Sequence, residues 1–347
     1  MFKKIAIIGG ARPNFMKVAP LCKEFEKQGL DYILINTGQH FSKDMSKDFF
    51  DEFNIAPNIT LEPSRNTTMS LFCDIMMGLE KVFEAEKPDL VLVVGDVNST
   101  LAGALVANKL GIKLGHIEAG LRSFNTLMPE EHNRVLTDHI SDYLFITSED
   151  GVENLKKEGI VNNIFFVGNI MMDTLASFVN KVPSIDEEYY FCTLHRAENV
   201  DNKEVFCEIL DALEEISKNN TIYLPLHPRT EKMAKQFGFT KRMESIFTLL
   251  SPLSYSDCVK YQKSAKLVLT DSGGIQEETS FLGVPCITLR SETERPVTVE
   301  VGTNSIGGVR KKTILDVYYD IDFNKKDVTI PFWDGKTAER IVGVLKE

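Results

Sequence analysis

The chain has 347 residues, 43% of them hydrophobic and 26% charged, with a formal net charge of -11 at pH 7. That length exceeds what one hydrophobic core usually supports, and the composition is globular, with neither a disordered nor a fibrous bias. The acidic balance excludes wholesale binding to nucleic acid or anionic lipid, and no apolar run approaches the roughly 20 residues of a membrane span.

Met-Phe-Lys-Lys leads straight into the strand Ile5–Ile8, with no long apolar signal region, which predicts a cytoplasmic protein. Further strands are predicted at Tyr32–Asn36, Leu90–Val94, Lys113–Ile117, Tyr143–Ile146 and Ile164–Val167, each followed by a stretch of helical period. A second series runs through Tyr190–Thr193, Ile222–Leu224, Ile246–Leu249, Leu267–Leu269 and Pro285–Thr288. This alternation predicts an α/β protein with two parallel sheets covered by helices on both faces. The proline-marked stretch Val182–Glu188 reads as the linker, and Gly335–Leu345 as an amphipathic helix returning to the first domain. The expected domains are residues 1–170 with 333–347, and residues 171–332.

Ligands of open α/β sheets bind beyond the carboxyl ends of the strands, which predicts two domains facing each other across a cleft. After the first strand stands Gly9-Gly10-Ala11-Arg12-Pro13 and not G-x-G-x-x-G, which disfavours a nicotinamide cofactor. Asp96 follows the strand Leu90–Val94 and Glu118 the strand Lys113–Ile117, where partial burial can raise a carboxyl toward acid/base duty. Each has a structural alternative: Asp96 can cap the following helix, and Glu118 can pair with Arg122. Pro129-Glu130-Glu131 opens a helix in the way its dipole favours.

The histidines number six, and His40, His116, His195 and His227 follow probable strands or their loops. None has metal-binding spacing, and the cysteines Cys22, Cys73, Cys192, Cys207, Cys258 and Cys286 form no C-x-x-C pair, so neither a metal nor a disulfide is expected. Asp271-Ser272-Gly273-Gly274 joins a strand to a helix, a turn whose free amides can hold a diphosphate; the alternative is a plain turn with Ser272 as N-cap. Arg12, Arg122, Arg134, Arg196, Arg229, Arg290 and Arg295 gather in Gly/Pro-punctuated loops after apolar runs, as suits bidentate recognition of phosphate or carboxylate.

Taken in order, Gly10-Ala11-Arg12-Pro13, Gly95-Asp96, His116-Ile117-Glu118-Ala119-Gly120-Leu121-Arg122, Pro129-Glu130-Glu131-His132-Asn133-Arg134, Thr270 to Glu278, and Thr293-Glu294-Arg295-Pro296 resemble the non-hydrolysing UDP-N-acetylglucosamine 2-epimerases. The resemblance implies two Rossmann-like domains in a GT-B arrangement. Asp96, Glu118, Glu130 and His195 would then be catalytic. Arg12, Lys17, Arg134, Ser272, Gly273, Gly274, Glu278 and Arg295 would bind the substrate, Glu278 meeting the ribose. A second nucleotide sugar acting as an allosteric activator would involve Gln39, His40, Arg196 and His227. A homodimer that needs no cofactor is implied as well.

The chemistry gives that residue set a reason. C2 of the sugar lies next to no carbonyl, so its proton is not acidic enough to remove directly. Without a nicotinamide, the remaining route is loss of UDP as a carboxylate takes the C2 proton, followed by re-addition with protonation from the opposite face. The alternatives are a 2-epimerase for a modified sugar such as UDP-diacetamido-glucuronate, and a GT-B glycosyltransferase.

Overall fold

A computed structural model describes residues 2–39, 50–64 and 66–347. β1 (Ile5–Gly9) and β4 (Leu90–Val94) are buried at every position, because helices cover both faces of a parallel sheet. They sit in a seven-stranded sheet with β2 (Tyr32–Asn36), β3 (Ile59–Thr60), β5 (Lys113–Ala119), β6 (Tyr143–Ile146) and β7 (Ile164–Phe166), ordered β3-β2-β1-β4-β5-β6-β7. All its pairings are parallel. One core of this unit joins Ala6, Ile8, Ile35, Val91 and Val93 to Ile75, Leu79 and Phe83 of the helix Thr68–Glu86.

A second, six-stranded parallel sheet follows the order β10-β9-β8-β11-β12-β13. Its strands are β8 (Tyr190–Thr193), β9 (Ile222–Pro225), β10 (Thr248–Leu250), β11 (Leu267–Thr270), β12 (Cys286–Thr288) and β13 (Asn304–Ile306). Both sheets are doubly wound, as the pattern predicted. In each, chain order reverses at one place: between β1 and β4 in the first, and between β8 and β11 in the second. Loops diverge there, and a ligand gains access to strand ends and helix N-termini together.

The chain divides into two units, Met1–Thr174 with Pro331–Glu347, and Leu175–Ile330. The predicted linker Val182–Glu188 needs correction, because it is built into the second unit. Ile185 N–H donates to Ser264 Oγ at 2.9 Å, its side chain packs beside Tyr189, Phe191 and Val268, and Glu187 accepts from the Tyr223 hydroxyl at 2.5 Å. Pro183 therefore marks the end of a helical segment and not a hinge between domains. The returning helix forms at Thr337–Lys346, where Asp173 accepts from the amides of Thr337 and Ala338 at 3.0 and 2.7 Å. It packs on the helix Arg12–Gln28 of the same unit.

Candidate active site

In the first unit the predicted carboxylates and their cations come from the helix Arg12–Gln28 after β1, the turn after β4, the end of β5 and the helix Pro129–Ile140. Between Ile117 and Ala119 the register of β5 against β6 shifts, and Glu118 at that bulge has φ of +72°. A left-handed glutamate is a costly backbone state that tends to persist where a side chain must be aimed. Its side chain is 2% exposed, and Oε2 accepts from the buried Lys17 ammonium. Oε1 has no hydrogen-bond partner among the described residues. The alternative pairing of Glu118 with Arg122 does not form, because Arg122 reaches Asp138 and Glu158 at 2.7 Å each.

Asp96 follows Gly95, whose φ of +68° turns the chain sharply at the end of β4. A Cβ at Gly95 would stand 3.3 Å from Glu118 Oε2, 3.4 Å from Asn14 Nδ2 and 3.6 Å from Lys17 Nζ. The glycine thus lets the Glu118–Lys17 pair approach the turn that carries Asp96. Capping is not the role of Asp96, because the N-cap of the helix Asn98–Lys109 is Val97. Its carboxylate pairs instead with Arg134, and its carbonyl accepts from Asn133 Nδ2 at 2.8 Å.

Arg134 bridges Asp96 to Glu131, the neighbour of the predicted Glu130 on the helix Pro129–Ile140. Glu131 also accepts from the amides of Ser123 at 3.0 Å and Phe124 at 2.9 Å, which pins the loop before the helix. Burial opposes ionisation there, but those amides and Arg134 hold its carboxyl below the ordinary range. Glu130 is half-buried, and Arg12 is exposed at the first turn of its helix. Gln39 Oε1 accepts from the amide and hydroxyl of Ser99 at 2.8 and 2.6 Å. His40 lies outside the described residues.

In the second unit Asp271, buried after β11, organises the turns beyond β8 and β11. It accepts from the amides of His195 and Arg196, each at 2.9 Å, and its Oδ1 lies 3.1 Å from His195 Nδ1. Burial raises its carboxyl, but His195 and the two amides outweigh that and hold it low. His195 Nδ1 is thereby fixed, which leaves Nε2 to meet a ligand. The His227 ring lies 5.5 Å from the His195 ring, and its Nδ1 accepts from the Arg229 amide at 3.2 Å. Burial, followed by the charge of His195, lowers the His227 pKa.

Ser272 occupies the N-cap position of the helix Gly273–Leu282, yet its hydroxyl makes no capping bond. The first helical amides beyond it are therefore available to an anion. Arg295 stands beside them, 2.8 Å from both Glu277 and Glu294. Glu294 also meets Arg290 at 2.9 Å, and burial is outweighed by these arginines, so its carboxyl lies far below the usual range. Glu278 is enclosed, accepting from the Tyr255 hydroxyl at 2.9 Å and from Gln262 Nε2 at 2.7 Å.

Burial pushes the Glu278 carboxyl from 4.5 up to about 7. In the unfolded chain it ionises near the lower value. Below that value both states are protonated and nothing is lost, whereas stability falls as pH rises through the window, by about 3 kcal/mol once the folded carboxyl has also ionised. Thermal melts between about pH 5 and about pH 8 should show this loss in the ligand-free protein and a smaller one in Glu278→Gln. Parallel curves for the two proteins would contradict it.

Comparison with known proteins fits these features. The UDP-N-acetylglucosamine 2-epimerase family model matches residues 23–346. The chain belongs to this family. It is 44% identical to the UDP-N-acetylglucosamine 2-epimerase of Methanocaldococcus jannaschii, over 99% of this chain and 98% of that one. The crystal structure of that enzyme in complex with UDP-GlcNAc and UDP superposes with a TM-score of 0.89, covering 99% of both chains. The chain is also 40% identical to the UDP-2,3-diacetamido-2,3-dideoxy-D-glucuronate 2-epimerase of Pseudomonas aeruginosa, over 90% of each.

Sequence reasoning passed over three residues of this 2-epimerase family member. Glu131 was indistinguishable from Glu130 beside it. Asp271 was read as part of a turn, although its place directly after an apolar strand was a signal. Asp138 lies in the last turn of its helix, and its partners are 16 to 22 residues away in sequence. Among the described residues no cluster of His, Cys, Asp and Glu could hold a metal, and no helix is long and apolar enough to cross a membrane.

Proposed function

We propose that this chain interconverts UDP-N-acetylglucosamine and UDP-N-acetylmannosamine at C2, by elimination and re-addition of UDP. The observation that carries the reading is Glu118, a buried carboxylate held at a left-handed bulge in β5 with one oxygen unpartnered, one strand from the sheet's switch point and beside the turn bearing Asp96. The fold spends backbone strain and a buried charge there, which a merely structural residue would not require.

Asp96, Glu118 and Glu130 supply the acid/base groups that take the C2 proton from one face and return one from the other. Lys17 and Arg134, first read as substrate contacts, hold Glu118 and Asp96 in place and balance their charge. The second unit holds the nucleotide: the amides after Ser272, with Gly273 and Gly274, cradle the diphosphate, Arg295 adds charge, and Glu278 meets the ribose. His195 Nε2, oriented by Asp271, donates to the departing diphosphate as the C1–O bond breaks. The domain roles follow: catalytic carboxylates in residues 1–170 with 333–347, and nucleotide binding in 171–332.

Homodimerisation, a cytoplasmic location and activation by a second nucleotide sugar through Gln39, His40, Arg196 and His227 belong to the same reading. Arg196 Nε, buried with no hydrogen-bond partner among the described residues, supports the last of these. The test is turnover of a panel of UDP-sugars followed by proton NMR. UDP-N-acetylmannosamine should form from UDP-N-acetylglucosamine. Turnover of UDP-2,3-diacetamido-glucuronate alone would move the assignment to the uronate branch.

A further inference from the structure

Glu118 and Asp96 leave the sheet through turns that need left-handed residues: Gly95 at φ +68°, Glu118 at +72° and Gly120 at +80°. Such backbone does not hold itself, and it relaxes unless surrounding bonds over-determine it. The bonds that do so converge on one side chain with no solvent exposure, Asp138 of the helix Pro129–Ile140. Its Oδ2 accepts from the Gly120 amide at 3.1 Å and from Arg122 Nη1 at 2.7 Å. Its Oδ1 lies 2.6 Å from His116 Nδ1.

His116 is buried in β5, and its Nε2 lies 2.8 Å from the Gly95 carbonyl. A carbonyl and a carboxylate can only accept, so Nε2 donates to the Gly95 carbonyl and Nδ1 to Asp138, each nitrogen carrying a proton. Asp138 thus reaches Gly120 directly, two residues beyond Glu118, and Gly95 through one imidazole, one residue before Asp96. Burial would raise its carboxyl, but His116 and Arg122 hold it below the ordinary range, so it stays an acceptor for all three donors.

We propose that Asp138 is the positioning residue of this site, a single buried carboxylate that fixes, through the Gly120 amide and through His116, the two turns from which Glu118 and Asp96 project. It touches neither reacting atoms nor nucleotide, and its helix also carries Glu130 and, through Arg134, holds the Asp96 side chain. The three acid/base groups are thereby referred to one element. This inference rests on the epimerase reading for its catalytic consequence, but not for its structural one.

The test compares Asp138→Asn with Glu158→Gln. Glu158 shares Arg122 with Asp138 but bonds to neither turn, so its loss measures the structural value of the arginine alone. In Asp138→Asn, kcat is expected to fall on the order of 10²-fold while KM moves less than about 3-fold, because misplacement of the reacting groups and not nucleotide binding is affected. Glu158→Gln should keep kcat within about 3-fold of wild type.

Hydrogen exchange of peptides covering residues 93–98 and 116–122 needs no turnover, so it separates this inference from the functional reading. Both peptides should exchange faster in Asp138→Asn and not in Glu158→Gln. If Asp138→Asn does not fold, His116→Leu against His116→Gln serves instead: only the glutamine keeps a donor for the Gly95 carbonyl, and it should recover turnover and exchange protection that leucine loses. Unchanged exchange at both turns, or equal kcat losses in Asp138→Asn and Glu158→Gln, overturns the proposal. A wild type inert toward UDP-N-acetylglucosamine removes the epimerase reading and leaves the exchange result to decide.

Discussion

Asp96→Asn is expected to lower turnover of UDP-N-acetylglucosamine by about 10²-fold or more, the range that acid/base groups supply. Its stability should change by less than about 1 kcal/mol, since the pair it breaks is partly exposed and solvent screens it. Arg134 also keeps Glu131 as a partner, so no guanidinium is stranded. Glu118→Gln should lose as much turnover but cannot be as gentle. Its partner Lys17 is 10% exposed and Glu118 2%, and removing one member of so enclosed a pair leaves an uncompensated charge, at about 3 kcal/mol. Pairing Glu118→Gln with Lys17→Met should recover stability without recovering turnover. Initial rates and thermal melts on these variants separate the two roles. A large fall in melting temperature with turnover preserved would show the carboxylates to be structural.

The Gly-rich turn gives the second large effect. At Gly274 a Cβ would meet nothing within 4 Å, and φ is not in the left-handed region. Alanine at this helix position is therefore tolerated by the fold and should even stabilise it, by up to about 1 kcal/mol. If the helix N-terminus serves only as a turn, UDP affinity is untouched. If the diphosphate lies against it, the added methyl group occupies ligand space, and UDP affinity should fall by about 10²-fold in calorimetry. Gly273 is less informative, since a Cβ there would lie 2.7 Å from Arg295 Nη1 and 3.2 Å from Glu294 Oε1, so Gly273→Val disturbs the arginine cluster together with the ligand. A Gly274→Ala protein that is stable and binds UDP as wild type does would restore the plain-turn reading.

Much of this architecture was legible in the chain. The apolar strands of both sheets declare themselves because parallel strands are buried on both faces. The misses share a cause, the weakness of local pattern at sheet edges. β3 is two residues long, and β13, Asn304–Ile306, carries Asn304 and Ser305. β10 begins at Thr248 and not at the predicted Ile246, which closes the preceding helix through Phe247 N–H to the Met243 carbonyl at 2.9 Å. At the site, strand-end position singled out Asp96, Glu118 and His195. What stayed hidden was partner choice. A one-residue register shift turns Glu118 away from Arg122 and toward Lys17, 101 residues earlier, and no spacing rule carries that information. Asp138 was invisible for the same reason, since its meaning comes from three donors, His116, Gly120 and Arg122, that only the fold brings to it.

Proton NMR of the reaction run in deuterated water tests elimination and re-addition most directly. The C2 proton leaves with a carboxylate that exchanges with solvent when the site opens, so the product epimer should carry deuterium at C2. With ¹⁸O in the bridge between C1 and the diphosphate, label should also scramble to non-bridging positions whenever released UDP rotates before re-addition; deuterium without scrambling marks the same chemistry with the diphosphate tightly held. Epimerisation with neither deuterium uptake nor scrambling would contradict the mechanism and require hydride transfer with a bound cofactor.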